Sequence, residues 1–231
     1  MIIGLSGKKG SGKNQVAEYF GQILGWRNVN IIAFADPIKE IAVKYMGVDK
    51  NIAWGTQEEK ESTYTAWSWE DIPPSKRSNY NVTTNRLTVR QLLQYIGTEL
   101  FRQNIADDFW VKSCFNQIHN YGDKYRHHII TDVRFPNEAN EIKELGGKVV
   151  RLWRGGDIQV DDKHASETAL NNEDCKIVDS FPDHSYLNKL NFFDVANYKK
   201  SSLFDMVINN YGDLGHLMST CVKVCKKMKL G

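Results

Sequence analysis

The residues best suited to chemistry stand close to the start of the chain. Gly7-Lys8-Lys9-Gly10-Ser11-Gly12-Lys13 follows the apolar run Met1-Ile2-Ile3-Gly4-Leu5 and precedes Gln15-Val16-Ala17-Glu18-Tyr19-Phe20, which reads as a helix. Glycines at these spacings let successive backbone N–H groups turn inward around a polyphosphate. The helix start adds the positive end of its dipole, and Lys13 can reach the terminal phosphate oxygens. Gly10, Ser11, Gly12, Lys13, Asn14 and Gln15 are therefore the expected contacts of a nucleoside triphosphate. The hydroxyl that usually follows the lysine and ligates Mg²⁺ is replaced by Asn14, a neutral oxygen donor that could serve the metal directly or through water.

A second group of chemical residues ends the run His128-Ile129-Ile130-Thr131-Asp132. A carboxylate at the end of a buried strand can hold Mg²⁺ through water or orient an attacking oxygen, and Asp132 is the candidate; it could equally cap the following helix. Arg134 and Glu138 follow closely. A guanidinium fork suits a monophosphate because it binds two oxygens at once, while a local Arg–Glu surface pair is the alternative. Further on, Arg151 and Arg154 stand beside Gly155-Gly156, and this stretch, 151–170, reads as a lid that closes over phosphates and keeps water out. His164 organises a turn there rather than holding a metal, since no second His or Cys stands at ligand spacing.

The elements that must position these residues follow from periodicity. Asn28 to Ala35 reads as a strand leading through Asp36-Pro37 into a helix from Ile38 to Met46. Thr88 caps a helix in which Val89, Leu92, Leu93 and Ile96 recur at helical spacing. A further helix is expected from Phe109 to Asn120, another from Asn137 to Leu145, and a strand from Lys148 to Leu152. Strands alternating with helices, with functional residues at strand ends, indicate an α/β fold built on a doubly wound parallel sheet. In the tail, Cys175-Lys176-Ile177-Val178 and Phe204 to Ile208 both read as strands, before a terminal helix from Gly212 to Lys229. Residues 47–87 break the pattern with scattered tryptophans and Pro73-Pro74, and read as an excursion from a single domain spanning 1–231.

Composition narrows the function further. The chain has 231 residues, 41% hydrophobic and 25% charged, with a formal net charge of +2, which argues against nucleic-acid or membrane binding. Cys114, Cys175, Cys221 and Cys225 show no paired CxxC spacing, and no apolar segment is long enough for a signal or a membrane span, so reduced thiols and a cytoplasmic location are expected. Tryptophans in the excursion point to a pocket wall or a homodimer contact.

Three ordered strings carry a resemblance: Phe34-Ala35-Asp36-Pro37-Ile38-Lys39, then Arg90-Gln91-Leu92-Leu93-Gln94-Tyr95-Ile96-Gly97-Thr98-Glu99-Leu100-Phe101-Arg102, then Thr131-Asp132-Val133-Arg134-Phe135-Pro136-Asn137-Glu138. The likeness runs from the phosphate loop through His164-Ala165-Ser166-Glu167-Thr168, about two thirds of the chain. The chain resembles the phage-type deoxynucleoside monophosphate kinases. That resemblance implies a P-loop kinase-like three-layer fold with an acceptor-side excursion and a lid. It implies transfer of the γ-phosphoryl group of ATP, with Mg²⁺, to a deoxynucleoside monophosphate, in the host cytoplasm if phage-encoded. It also implies that Lys39, Gly97, Thr98, Arg102, Trp110, Asp132, Arg134 and Glu138 contact the monophosphate, with Lys13, Asp132 and Arg134 catalytic. Trp110 could stack on a base, although it reads equally well as core, and Gly97-Thr98 could be a helix stop. Two other readings compete: a P-loop kinase for another small acceptor such as dephospho-coenzyme A, and a GTPase-type switch. The switch lacks its guanine-reading motif, since Asn188-Lys189-Leu190-Asn191 has no final carboxylate.

Overall fold

A computed structural model describes residues 1–77, 80, 82–154, 168–178, 191–195 and 203–230. These group into two compact units. One comprises residues 1–33 and the described chain from 115 onward, the other residues 34–114. The irregular stretch 47–87 lies inside the second unit. The segment 155–167 of the predicted lid, with His164, lies outside the described residues.

The first unit is built on a sheet of strands β1 (Ile2–Gly7), β2 (Val29–Ile32), β5 (His127–Val133), β6 (Lys148–Trp153), β7 (Phe192–Asp194) and β8 (Met206–Asn209), ordered β2-β5-β1-β6-β8-β7. The first five are parallel and β7 is antiparallel on the edge. Strand β1 is central because it is apolar on both faces, as a strand covered twice must be. Ile3 and Leu5, both fully buried, face a cluster with Val16, Ala17 and Phe20 of α1 (Lys13–Leu24) and with Leu217, Cys221 and Val224 of a C-terminal helix, Leu214–Lys227. Gly4 faces the other way, toward Ile142 of α8 (Pro136–Glu144). A Cβ there would fall 2.6 Å from Ile142 Cδ1, so glycine lets that helix pack close. Helices thus cover both faces of the sheet.

The predicted strands at 128–132, 148–152 and 204–208 appear nearly where expected, and the last of them joins the sheet as β8. The Cys175–Val178 strand does not form. Those residues belong to the helix Asn171–Val178, called α9 below, and four apolar-rich residues do not by themselves separate the two states. Cys114, Cys221 and Cys225 are buried free thiols, and burial pushes the Cys221 and Cys225 thiols up to about 12. Among the described residues no helix is long and apolar enough to cross a membrane.

At the amino edge of the sheet the Met1 ammonium donates to Arg126 O at 2.5 Å, beside His127 and His128. Burial, and then the neighbouring N-terminal charge, hold both imidazoles below their usual value. The unfolded chain therefore takes up their protons first as pH falls. Stability from this edge is complete above about pH 6.5 and declines as pH drops below it. Urea midpoints measured between pH 7 and 5 are expected to fall, and His127→Gln is expected to flatten that slope; an unchanged slope in the variant would remove His127 from the account.

The second unit carries α2 (Asp36–Met46), α3 (Lys50–Trp54), α4 (Gln57–Ser62), a hairpin of β3 (Tyr64–Ser68) with β4 (Arg86–Thr88), α5 (Pro74–Arg77) and α6 (Val89–Gln94). Thr88 caps α6 as its sequence predicts: the Gln91 N–H donates to Thr88 Oγ1 at 3.2 Å, and the Thr88 N–H to Gln91 Oε1 at 2.9 Å. Gly97-Thr98 does not end this helix. It runs on as a π-helical turn, Tyr95–Arg102, and after a short break α7 (Phe109–Tyr121) leads the chain back to the first unit.

Candidate active site

In the first unit the chain leaves the carboxyl end of β1 and forms a loop before α1. The loop is tight at its root: a side chain on Gly7 would place Cβ 2.4 Å from Ser11 Oγ and 2.9 Å from Leu152 O. At its other end Gly12, in the left-handed region at φ 98°, serves as the N-cap of α1. It offers no side-chain cap, and the first turn holds no acidic residue. The orphan N–H groups and the positive dipole end therefore remain available to an anion, the arrangement a phosphate needs. Lys13 sits over this loop, its ammonium donating to Gly7 O at 2.7 Å and Lys8 O at 2.8 Å. Ser11 is fully buried, and its Oγ finds no hydrogen-bond partner among the described residues.

Asn14 stands exposed on the first turn of α1, and the Gln15 amide donates to Glu18 Oε2 at 3.2 Å. The neighbouring strands β6 and β8 send residues to the loop from their carboxyl ends. Arg154 Nη1 donates to Gly10 O at 3.0 Å, and Asn210 Nδ2 to Ser11 O at 3.0 Å. Arg151, expected in the lid, is instead inside the sheet at 3% exposure. It is doubly bonded to Asp174, donates to Ser6 Oγ at 2.9 Å and lies over the Phe204 ring. An arginine in a covered strand needs a buried carboxylate, and this one has it.

Strand β5 adjoins β1, and its register pairs Val133 with Ser6, so Asp132 lies beside the root of the phosphate loop. Glu138 is expected from the resemblance to contact the monophosphate. It is 3% exposed and its Oε2 accepts the N–H groups of Arg134 (2.7 Å) and Phe135 (3.0 Å). The carboxylate is committed to capping α8, and so fixes the turn that carries Asp132 and Arg134.

In the second unit, Lys39 bonds Asp36 at 2.9 Å and lies 5.4 Å from the ring centre of the part-exposed Trp54. Lys60, 9% exposed, donates to Gly55 O, the residue after Trp54. Burial first, then the charges of Lys39 and Arg90, hold the Lys60 ammonium below its usual value. Arg90 bonds Gln57 at 2.7 Å and approaches Glu61 at 3.4 Å. Three cations thus gather around the end of α3, and two of them, Lys60 and Arg90, have no role in the sequence reading. Arg90 opened one of its strings, but Lys60 is an ordinary lysine in a capped helix until the fold gives it its neighbours.

Gly97 and the buried Thr98 lie on the π-helical turn next to α2, with Ile38 Cδ1 2.9 Å from where a Gly97 Cβ would be. The structure places Trp110 in the core, the second of its two readings. It is 2% exposed, donates to Gly97 O at 2.7 Å and packs against Phe101 and Phe109 at 4.8 Å. Its task is to hold the Gly97 turn. Arg102 donates to Asp107 O at 2.8 Å. The residues expected around the acceptor are therefore divided: Lys39, Gly97, Thr98, Arg102 and Trp110 in the second unit, and Asp132, Arg134 and Glu138 in the first.

A parallel sheet with a glycine-rich phosphate loop and its lysine at the end of the central strand defines a P-loop nucleotide-binding protein. The sequence model of the deoxynucleotide monophosphate kinases matches residues 56–182. A protein of Acanthamoeba polyphaga mimivirus described as a deoxynucleotide monophosphate kinase is 36% identical over 182 residues, covering 74% of this chain and 82% of that one. The deoxynucleoside-5'-monophosphate kinase of Escherichia phage T5 is 28% identical over 62% of this chain and 72% of its own. The chain belongs to the deoxynucleotide monophosphate kinase family. A dephospho-CoA kinase structure from Campylobacter jejuni aligns along the whole chain at 14% identity and TM-score 0.45, a likeness that carries no weight for the substrate.

Proposed function

We propose that this protein, a phosphotransferase, moves the γ-phosphoryl group of ATP to a deoxynucleoside monophosphate, giving the diphosphate and ADP. The observation that carries the reading is the uncapped start of α1 behind the loop Gly7–Lys13, with the Lys13 ammonium over it. Phosphoryl transfer is catalysed mainly by positioning and charge stabilisation, so the task of the chain is to hold two phosphates and neutralise the charge that moves between them. Loop N–H groups and Lys13 hold the donor phosphates. Arg154, at the loop's rim, is suited to follow the γ-phosphoryl charge. Lys39, Lys60 and Arg90 supply the cations for the acceptor phosphate, and the Gly97–Thr98 backbone lets a nucleoside approach closely.

No group of three or more His, Cys, Asp or Glu side chains among the described residues could hold a metal alone. That fits Mg²⁺, which takes most of its ligands from phosphates and water and needs one or two protein oxygens. Asn14 and Asp132, the latter through water, are the residues suited to it. Mg²⁺ held there would neutralise charge on the donor phosphates. Asp132 also orients the attacking oxygen, and Arg134 assists the acceptor phosphate. The cytoplasm, with its ATP and deoxynucleotides, is the location this reading requires. Self-association through the part-exposed Trp67 belongs to the same reading.

A coupled ADP-release assay with ATP and Mg²⁺, offering dGMP, dTMP, dCMP, dAMP and dephospho-coenzyme A separately, tests the reading. Turnover with a deoxynucleotide is expected. Turnover with dephospho-coenzyme A alone, or ADP release that ignores the acceptor, would overturn it. Lys60→Met and Arg134→Ala are each expected to raise KM for the monophosphate about tenfold or more, the loss of one charge-assisted contact, while KM for ATP changes little. Equal rises in both constants would remove the residue from the acceptor side.

A further inference from the structure

Helix α9 reaches the root of the phosphate loop with two side chains one turn apart. Asp174, 3% exposed, takes Arg151 on both oxygens and the Trp153 indole N–H at 3.0 Å. Arg151 in turn donates to Ser6, the residue before Gly7. Asn171, on the same face three residues earlier, accepts the ammonium of Lys8, itself 5% exposed. The Lys8 backbone completes the connection: its carbonyl accepts both the Lys13 ammonium at 2.8 Å and the Ser11 N–H at 3.2 Å. One helix therefore holds the loop at its entry, through Arg151, and at the residue whose carbonyl steadies Lys13.

We infer that Asn171 and Asp174 are positioning residues for the donor nucleotide, clamping the phosphate loop in its phosphate-binding shape through Lys8 and Arg151. A loop that binds through N–H groups aimed in fixed directions gains affinity from being held in that shape beforehand, so its clamp is read in donor affinity. The inference rests on the phosphate-loop assignment made above. It assigns no atom of α9 to the ligand, so any effect must pass through the loop.

Asn171 is the better site for the test because it is only half-buried and its loss leaves the Asp174–Arg151 pair in place. Titration calorimetry with Mg·ADP and, separately, with the preferred deoxynucleoside monophosphate reads the two sites independently. Asn171→Ala is expected to weaken Mg·ADP about tenfold and to leave the monophosphate unchanged; Asn171→Asp, which keeps an acceptor for Lys8, restores the affinity. Lys8→Met is expected to match Asn171→Ala, and the double variant to be no weaker than either. Wild-type ADP affinity in Asn171→Ala overturns the inference. So does equal weakening of both nucleotides together with a lower urea midpoint, which would mark α9 as general scaffold. The kinase reading is judged separately: if the wild type binds Mg·ADP yet phosphorylates no deoxynucleotide, that reading fails while the clamp is still tested by the ADP titrations.

Discussion

Lys13→Ala is expected to lower kcat by about 10²–10³-fold or more while leaving the fold intact, the scale seen when one preorganised charge-stabilising donor is removed. The ammonium is held by the Gly7 and Lys8 carbonyls, over the N–H groups that begin α1. Its position at the start of α1 suits it to follow negative charge as the γ-phosphoryl group leaves. Alanine suits the first turn of a helix, and the two lost hydrogen bonds join to carbonyls at the loop's edge, so stability changes by about 1–2 kcal/mol at most. Circular dichroism and the urea midpoint measure the fold, and a single-turnover assay with ATP measures the chemistry. Wild-type turnover in a well-folded Lys13→Ala protein would end the phosphate-loop assignment.

The largest effect on stability is expected at Arg151. Arg151→Met leaves Asp174 buried with a carboxylate that has lost its cation, and breaking such a pair costs about 3–5 kcal/mol. Arg151→Met combined with Asp174→Leu removes both charges, and a buried pair replaced by apolar residues is often close to neutral, so the double variant is expected to regain most of the loss. Ser6 Oγ loses one donor in either case. Urea unfolding of the three proteins at neutral pH makes the comparison. A double variant as unstable as the single one would show that the cost is packing against Phe204 rather than an uncompensated charge.

Arg151 also shows where the sequence stops being legible. Its strand is plain from the run Lys148 to Leu152, and its neighbouring glycines suggested a lid, but the partner that defines its role lies 23 residues on, at Asp174. No local pattern joins two such positions. By contrast the phosphate loop, the end of β5 and the Thr88 cap are local: each is specified by residues within a few positions, and each forms as read. Trp110 and Glu138 fall between these cases. Their positions were found, but an indole or a carboxylate reads the same whether it meets a ligand or the backbone, and only the fold sends Trp110 to Gly97 O and Glu138 to the Arg134 and Phe135 N–H groups. Lys60 was missed because its significance is the company of Lys39 and Arg90, which helix periodicity alone does not bring together.

The π-helical turn at Tyr95–Arg102 is a helix carrying one residue more than its pitch allows. Gln103 N–H reaches back to Thr98 O at 3.0 Å, and Ala106 N–H to Phe101 O at 3.2 Å, in i→i+5 bonds. Deleting one residue here would let the backbone relax to ordinary pitch, but every later side chain would swing by about 100°. Glu99 would leave the Tyr80 hydroxyl that it meets at 2.5 Å, and Trp110 would lose its purchase on Gly97. Natural length variation in this family should therefore fall in the connections on either side of the turn and spare the turn itself.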